Sequence, residues 1–131
     1  MKKLLMLCAC FAAAACAKDK PEGPPMPPKT IELKYNASVS AEKDLILHFI
    51  SVNDSRCPAG TTCAWEGNAE IIVELTGFGN AAAVLNTNPQ FEQSYHYNDH
   101  TITLKELKPY PESGQTVDVN SYVAVLTVEK K

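Results

Sequence analysis

Between Thr30 and Lys131, apolar side chains recur at every second residue in short runs cut by turn chemistry, and no stretch carries a helical period. This pattern constrains the fold more than any other feature. Side chains on a strand alternate between two faces, whereas those on a helix return after about 3.6 residues. TIELKY (30–35) sets Ile31, Leu33 and Tyr35 against Glu32 and Lys34. AEIIVEL (69–75) puts Ala69, Ile71, Val73 and Leu75 on one side, and SYVAVLTVEK (121–130) does the same with Tyr122, Ala124, Leu126 and Val128. DLILHFISV (44–52) is almost continuously apolar, which predicts a strand covered on both faces. AAAVLN (81–86) reads as a strand, although alanine also favours helix. FEQSYHY (91–97) and HTITLKEL (100–107) flank Asn98-Asp99, a pair suited to the left-handed conformations of a tight hairpin. About six to eight strands over about a hundred residues predict one all-β domain at 30–131, an antiparallel β-sandwich with a small β-barrel as the alternative.

The segment ahead of this domain has a different character. Lys2 and Lys3 precede an apolar run from Leu4 to Ala15 that ends in Ala13, Ala14 and Ala15. A basic start, a short apolar stretch and small residues form a secretory signal at 1–15, and the run is too short to span a membrane. Cys16 follows at once. The junction resembles a bacterial lipobox, although Ala13 stands where leucine is usual, and the resemblance implies acylation of Cys16. An anchor of two or more chains holds stably, where one chain binds marginally. Ala17 to Lys29 contains five prolines in thirteen residues. With Cys16 it makes a lipidated tether at 16–29, reaching roughly 40 Å at about 3.1 Å per residue. Lys18-Asp19 resembles the short acidic signals that send lipoproteins to the cell exterior. The expected location is therefore the cell envelope, lipid-anchored at the outer membrane on its periplasmic face or at the cell surface.

Cysteine counting agrees with export. Of five cysteines, Cys8 and Cys10 leave with the signal and Cys16 takes the lipid, so Cys57 and Cys63 remain as an even pair in an oxidising compartment. Removing Lys2 and Lys3 from the twelve basic residues leaves ten against fifteen acidic, a net charge of about −5. That balance, with no basic stripe, argues against nucleic acid as a partner.

Both cysteines lie in DSRCPAGTTCAWEG (54–67), the connection between two strong strands. A Cys57–Cys63 bridge closes a ring of about seven residues, worth roughly 2 kcal/mol by loop-closure entropy, and Pro58 and Gly60 supply the bend. Two readings of this loop compete. As a binding loop, Asp54, Arg56 and Trp65 are its candidate residues, because a rigid ring lowers the entropy cost of association and Arg and Trp are enriched at interface hot spots. As a staple, Arg56 pairs with Asp54 or Glu66 and Trp65 packs on the disulfide or fills core, with Tyr35 helping to cap the sandwich end.

The order D-S-R-C-P, four residues, then C-x-W-x-G is similar to a signature of small, uncharacterised bacterial lipoproteins with β-sandwich domains. The ending LKPYPESGQTVDVNSYVAVLTVEK, a proline-containing loop before a strand opened by Tyr122, resembles theirs as well. The resemblance covers most of the domain. It implies a Cys57–Cys63 disulfide and a β fold, and it brings no known activity.

Catalytic and metal chemistry find little purchase. There is no G-x-S-x-G, H-E-x-x-H or glycine-rich phosphate loop, and Glu70 and Glu74 alternate along a strand as solvent-facing charges do. A lone cysteine pair in an oxidising compartment is a disulfide rather than a zinc site. His48 lies in the apolar strand and reads as a satisfied, partly buried residue. A two-residue loop at 98–99 sets His96 and His100 on opposite faces, whereas a three-residue loop sets both on one face near Asp99. No cofactor and no metal are expected. The sequence favours a non-catalytic module that binds an envelope or extracellular protein or polymer. The alternative is an inhibitor of an extracytoplasmic hydrolase acting through 54–67.

Overall fold

The computed structural model describes Pro24 and residues 26–131. The expected signal at 1–15, the expected lipidation site Cys16 and most of the expected tether at 16–29 lie outside the described residues. Eight strands follow in order: β1 Lys29–Lys34, β2 Ser38–Glu42, β3 Leu45–Asp54, β4 Ala69–Thr76, β5 Ala81–Asn86, β6 Ser94–Tyr97, β7 His100–Lys108 and β8 Val123–Lys130. They form two four-stranded sheets, β1-β8-β7-β6 and β2-β3-β4-β5, in which every neighbouring pair is antiparallel. The architecture is the antiparallel sandwich, and the barrel alternative is set aside because the sheets do not close on one another.

The inward rows follow the alternation read from the sequence. Ile31 and Leu33 of β1, Ile71, Val73 and Leu75 of β4, and Ala124, Leu126 and Val128 of β8 meet Leu45, Leu47 and Phe49 of β3 and Ile102 and Leu104 of β7 in one core. Burying each leucine- or phenylalanine-sized side chain stabilises the fold by roughly 1.5–3 kcal/mol relative to exposure. Lys29 Nζ donates to Ala41 O at 2.6 Å, joining the start of β1 to β2 in the other sheet.

Two expectations need correction. β3 is not covered on both faces. Leu45, Leu47 and Phe49 point inward, while Ile46 is 45% exposed and His48 faces outward beside Glu74 at 3.3 Å. The apolar run is continuous because the register with β4 shifts between Phe49 and Ser51, inserting Ile50 and changing the phase of the alternation. FEQSYHY is strand only from Ser94, and Phe91 sits exposed in the preceding turn.

The hairpin holds the two-residue geometry: Tyr97 pairs with His100, and Asn98 takes φ 54°. His96 therefore faces solvent with Nδ1 at 2.9 Å from Thr101 Oγ1, and His100 faces inward, buried.

Register also fixes the two ends of the sandwich. Lys29 pairs with Val128 and Lys34 with Val123, so β1 begins beside the chain's C-terminal end and runs toward Tyr122. Tyr122 in turn bonds Asp54, the last residue of β3. The chain thus enters the domain at one pole and carries the 54–67 loop at the other. The six residues of β1 alone separate the poles by about 20 Å at roughly 3.3 Å per residue.

Candidate functional site

The loop between β3 and β4 first continues their ladder. Ser55 N donates to Asn68 O at 2.8 Å and Cys57 N to Glu66 O at 2.9 Å. Beyond the second rung, Cys57 and Cys63 are joined by a disulfide with Cα atoms 6.0 Å apart. The ring is then tied sideways to the β7–β8 connection, where Ala59 N donates to Pro111 O at 2.9 Å and Ser113 N to Ala59 O at 3.0 Å. Gly67 closes the loop at φ 76°, and a Cβ there would stand 2.2 Å from Ser55 O, so only glycine fits.

Beneath the ring lies a buried ion pair. Arg56 Nε donates to Asp54 Oδ1 at 2.8 Å and Nη2 to Oδ2 at 2.6 Å, with the two side chains 7% and 6% exposed. Nη1 reaches Leu107 O at 2.8 Å and Nη2 reaches Pro109 O at 2.9 Å. Four of the five N–H groups of a guanidinium are thereby used. Asp54 also accepts from Arg56 N at 3.2 Å and from the Tyr122 hydroxyl at 2.9 Å. Such complete bonding is what a buried pair requires, since desolvation otherwise outweighs the attraction.

The titration of both acids follows from this geometry. Burial opposes the charge on Asp54. The hydrogen bonds from the Arg56 side chain and backbone and from Tyr122, with the guanidinium charge, outweigh it and hold the carboxyl below its ordinary range. Burial first, and then the bond to the Asp54 carboxylate and its charge, push the Tyr122 phenol up to about 12.

Above this fastener the surface is aromatic. The Tyr110 ring covers the Arg56 guanidinium at 4.8 Å, and its hydroxyl donates to Cys57 O at 2.8 Å, yet the residue is 52% exposed. Trp65 is 53% exposed and makes no hydrogen bond among the described residues. The two rings line one open depression of about 430 Å³ with Pro58, Thr61 and Glu66. A second depression of about 230 Å³ shares Tyr110 and Glu66 and extends toward Asn88, Lys105 and Glu106.

The structure thus divides the candidate loop residues. Asp54 and Arg56 face inward, and Arg56 pairs with Asp54 rather than Glu66. Trp65 neither fills core nor sits under cover, because its position two residues past Cys63 turns it outward. Tyr35, expected beside it, packs edge-on against Phe49 at 5.5 Å instead. An inhibitor using Arg56 as its anchor would have to break the fastener, so that reading rests on Trp65 alone. Sequence reasoning did not single out Tyr110, although a tyrosine between Pro109 and Pro111 in an exposed loop marks it.

At the opposite pole, His100 lies with Nε2 at 3.3 Å from Glu42 Oε2 and Nδ1 at 2.8 Å from Asp99 Oδ1, stacked against Phe78 at 5.8 Å. The Asp99 contact is a proximity of charge without hydrogen-bond alignment, since Nδ1 has no hydrogen-bond partner. The carboxylates approach different ring nitrogens, so they do not converge on one point, and the described residues hold no group of three or more metal-ligating side chains.

Fold and loop together define an antiparallel β-sandwich with a disulfide ring fastened over a buried Asp–Arg–Tyr cluster. Compared with known proteins, the chain matches no family model, no curated protein and no solved structure.

Proposed function

We propose that the chain is an exported lipoprotein, held in the cell envelope by acylated Cys16, whose sandwich is a non-catalytic binding module. One observation carries the reading. Trp65 and Tyr110 face solvent at the pole opposite the entry of the chain, on a loop held by a disulfide, an ion pair and backbone bonds. Exposed aromatics on a rigid support lose little conformational freedom on contact, which is the economy of a preorganised binding surface. A tether of 16–29 presents that pole away from the membrane that holds the lipid. The partner is an envelope or extracellular protein or polymer, and the net charge of the mature chain disfavours nucleic acid.

Two measurements test the two halves. Cys16→Ala should move the protein from the membrane fraction to the soluble one, and an unchanged distribution removes the anchor. The full chain, immobilised, should retain envelope material that Trp65→Ala, verified as folded, releases. Equal retention by both would move the binding surface elsewhere, and no retention by either would remove the binding reading.

A further inference from the structure

Resting on that reading, the chemistry of the depression narrows the ligand. We infer that the surface formed by Trp65, Tyr110 and Glu66 takes a neutral glycan chain.

Three observations point the same way. First, one face of Tyr110 already lies against the Arg56 guanidinium at 4.8 Å, so the π density of that ring is drawn inward. A second cation on its outer face is disfavoured, although Glu66 alone would attract one. The C–H face of a sugar ring carries only small partial charges and stacks on such a ring by dispersion. Second, Glu66 has no ion-pair or hydrogen-bond partner for its carboxylate among the described residues, and Glu106 and Glu112 flank the same end. With a net charge of about −5 on the mature chain, anionic polymers are repelled. Third, the large exposed apolar groups lining the depressions are the two rings. The floor between them is the disulfide and Pro58, Ala59 and Thr61, and the adjoining depression mixes the polar Thr87 and Asn88 with the charged Lys105 and Glu106. A protein interface of ordinary size needs about 800 Å² per partner with an apolar centre, whereas two exposed rings along connected depressions suit a single narrow chain.

What remains complements a polyhydroxylated chain. The indole N–H of Trp65 and the carboxylate of Glu66 are an unused donor and acceptor at the rim, and Lys105 supplies a further donor in the adjoining depression. The two depressions meet at Tyr110 and Glu66, so a linear chain lying along them crosses from Trp65 past Tyr110 toward Lys105.

Trp65 is the one tryptophan of the sequence, so its fluorescence reports on this site alone. The test titrates the full chain, in a detergent without a sugar headgroup, with short oligomers of neutral glucans, mannans, xylans and chitin. Choline, polygalacturonate and a neutral soluble protein serve as comparison probes. A saturable emission change with a neutral oligomer is expected. Calorimetry on Trp65→Ala should show binding weakened by about tenfold or more, the scale of one lost stacked ring with its buried area, and Trp65→Tyr should recover part of it. Response to choline or polygalacturonate in place of the neutral oligomers would overturn the glycan assignment and leave a binding module. So would neutral-oligomer binding that Trp65→Ala does not weaken. If no neutral oligomer binds while envelope material is still retained through Trp65, the assignment is wrong and the binding reading stands. If neither occurs, both fall.

Discussion

Replacing Arg56 by methionine should be among the most damaging single changes at the 54–67 pole, and its cost should carry a pH signature. Methionine keeps much of the stem but offers no donor. The Asp54 carboxylate would then retain only the Arg56 backbone N–H and the Tyr122 hydroxyl, and the carbonyls of Leu107 and Pro109 would lose their guanidinium partner. Removing one member of a buried pair costs about 3–5 kcal/mol, chiefly because the remaining charge stays buried without its counter-ion. Against a domain stability of about 5–15 kcal/mol, that leaves a marginal protein. At a urea slope of about 1–3 kcal/mol per molar, the midpoint should fall by roughly 2 M. In the parent chain Asp54 is held below its ordinary range, so its stabilisation is present above about pH 3.9 and is lost as pH falls through the folded value. In Arg56→Met the carboxyl has lost its cation, and protonation relieves it. The difference between parent and variant should therefore shrink between about pH 7 and about pH 4. Asp54→Asn with Arg56→Met should cost less than Arg56→Met alone, since no charge is stranded. Urea unfolding of the three proteins across that range decides the matter. A single-variant loss below about 1 kcal/mol, or one independent of pH, would refute the account of the cluster as an ionic fastener.

Three further outcomes are expected. Gly67→Ala should destabilise by about 1–3 kcal/mol or more in thermal unfolding, because its Cβ would meet Ser55 O at 2.2 Å. Gly79→Ala, also at positive φ but with nothing within 4 Å, should cost clearly less. Replacing Cys57 and Cys63 by serine should lower stability by about 2 kcal/mol in denaturant unfolding, and reductant should then no longer affect the protein. The Tyr122 phenol titrates at about 12 in the fold against about 10 unfolded, so its contribution is complete below about pH 10 and is lost between those values. Tyr122→Phe should flatten the alkaline limb of a stability–pH profile, and an unchanged limb would show that another group governs it.

Strands with a strict two-residue alternation were legible from the sequence, and β1, β4 and β8 lie close to where their patterns place them. β2 was not, because Ser38-Val39-Ser40-Ala41 buries only a small alanine fully and offers little contrast between faces. β3 was legible as a strand but not in its facing, since an inserted residue at a bulge makes two half-phases read as one apolar run. At the site, the cysteines and Arg56 announced themselves through local spacing. Tyr110 and Tyr122 did not, because they reach Cys57 and Asp54 across 53 and 68 residues of chain, and local patterns carry no record of such pairings. Of the two readings of Trp65, the one that packed it on the disulfide or in the core failed for a related reason: a tryptophan fills core only if its backbone can turn inward, and here it stands 53% exposed beyond the Cys57–Glu66 rung.

The strand order has a consequence for the making of the molecule. β8, the last of the described strands in chain order, is an interior strand, with β1 on one side and β7 on the other. Until Val123–Lys130 has emerged, β1 has no neighbour in its sheet and β7 lacks one of its two. The β2-β3-β4-β5 sheet needs nothing beyond Asn86, whereas the other sheet forms only once β8 is present. The two sheets therefore differ in how they close: one is built from strands that follow one another in the chain, while the other brings Lys29–Lys34 against Val123–Lys130 across most of the domain.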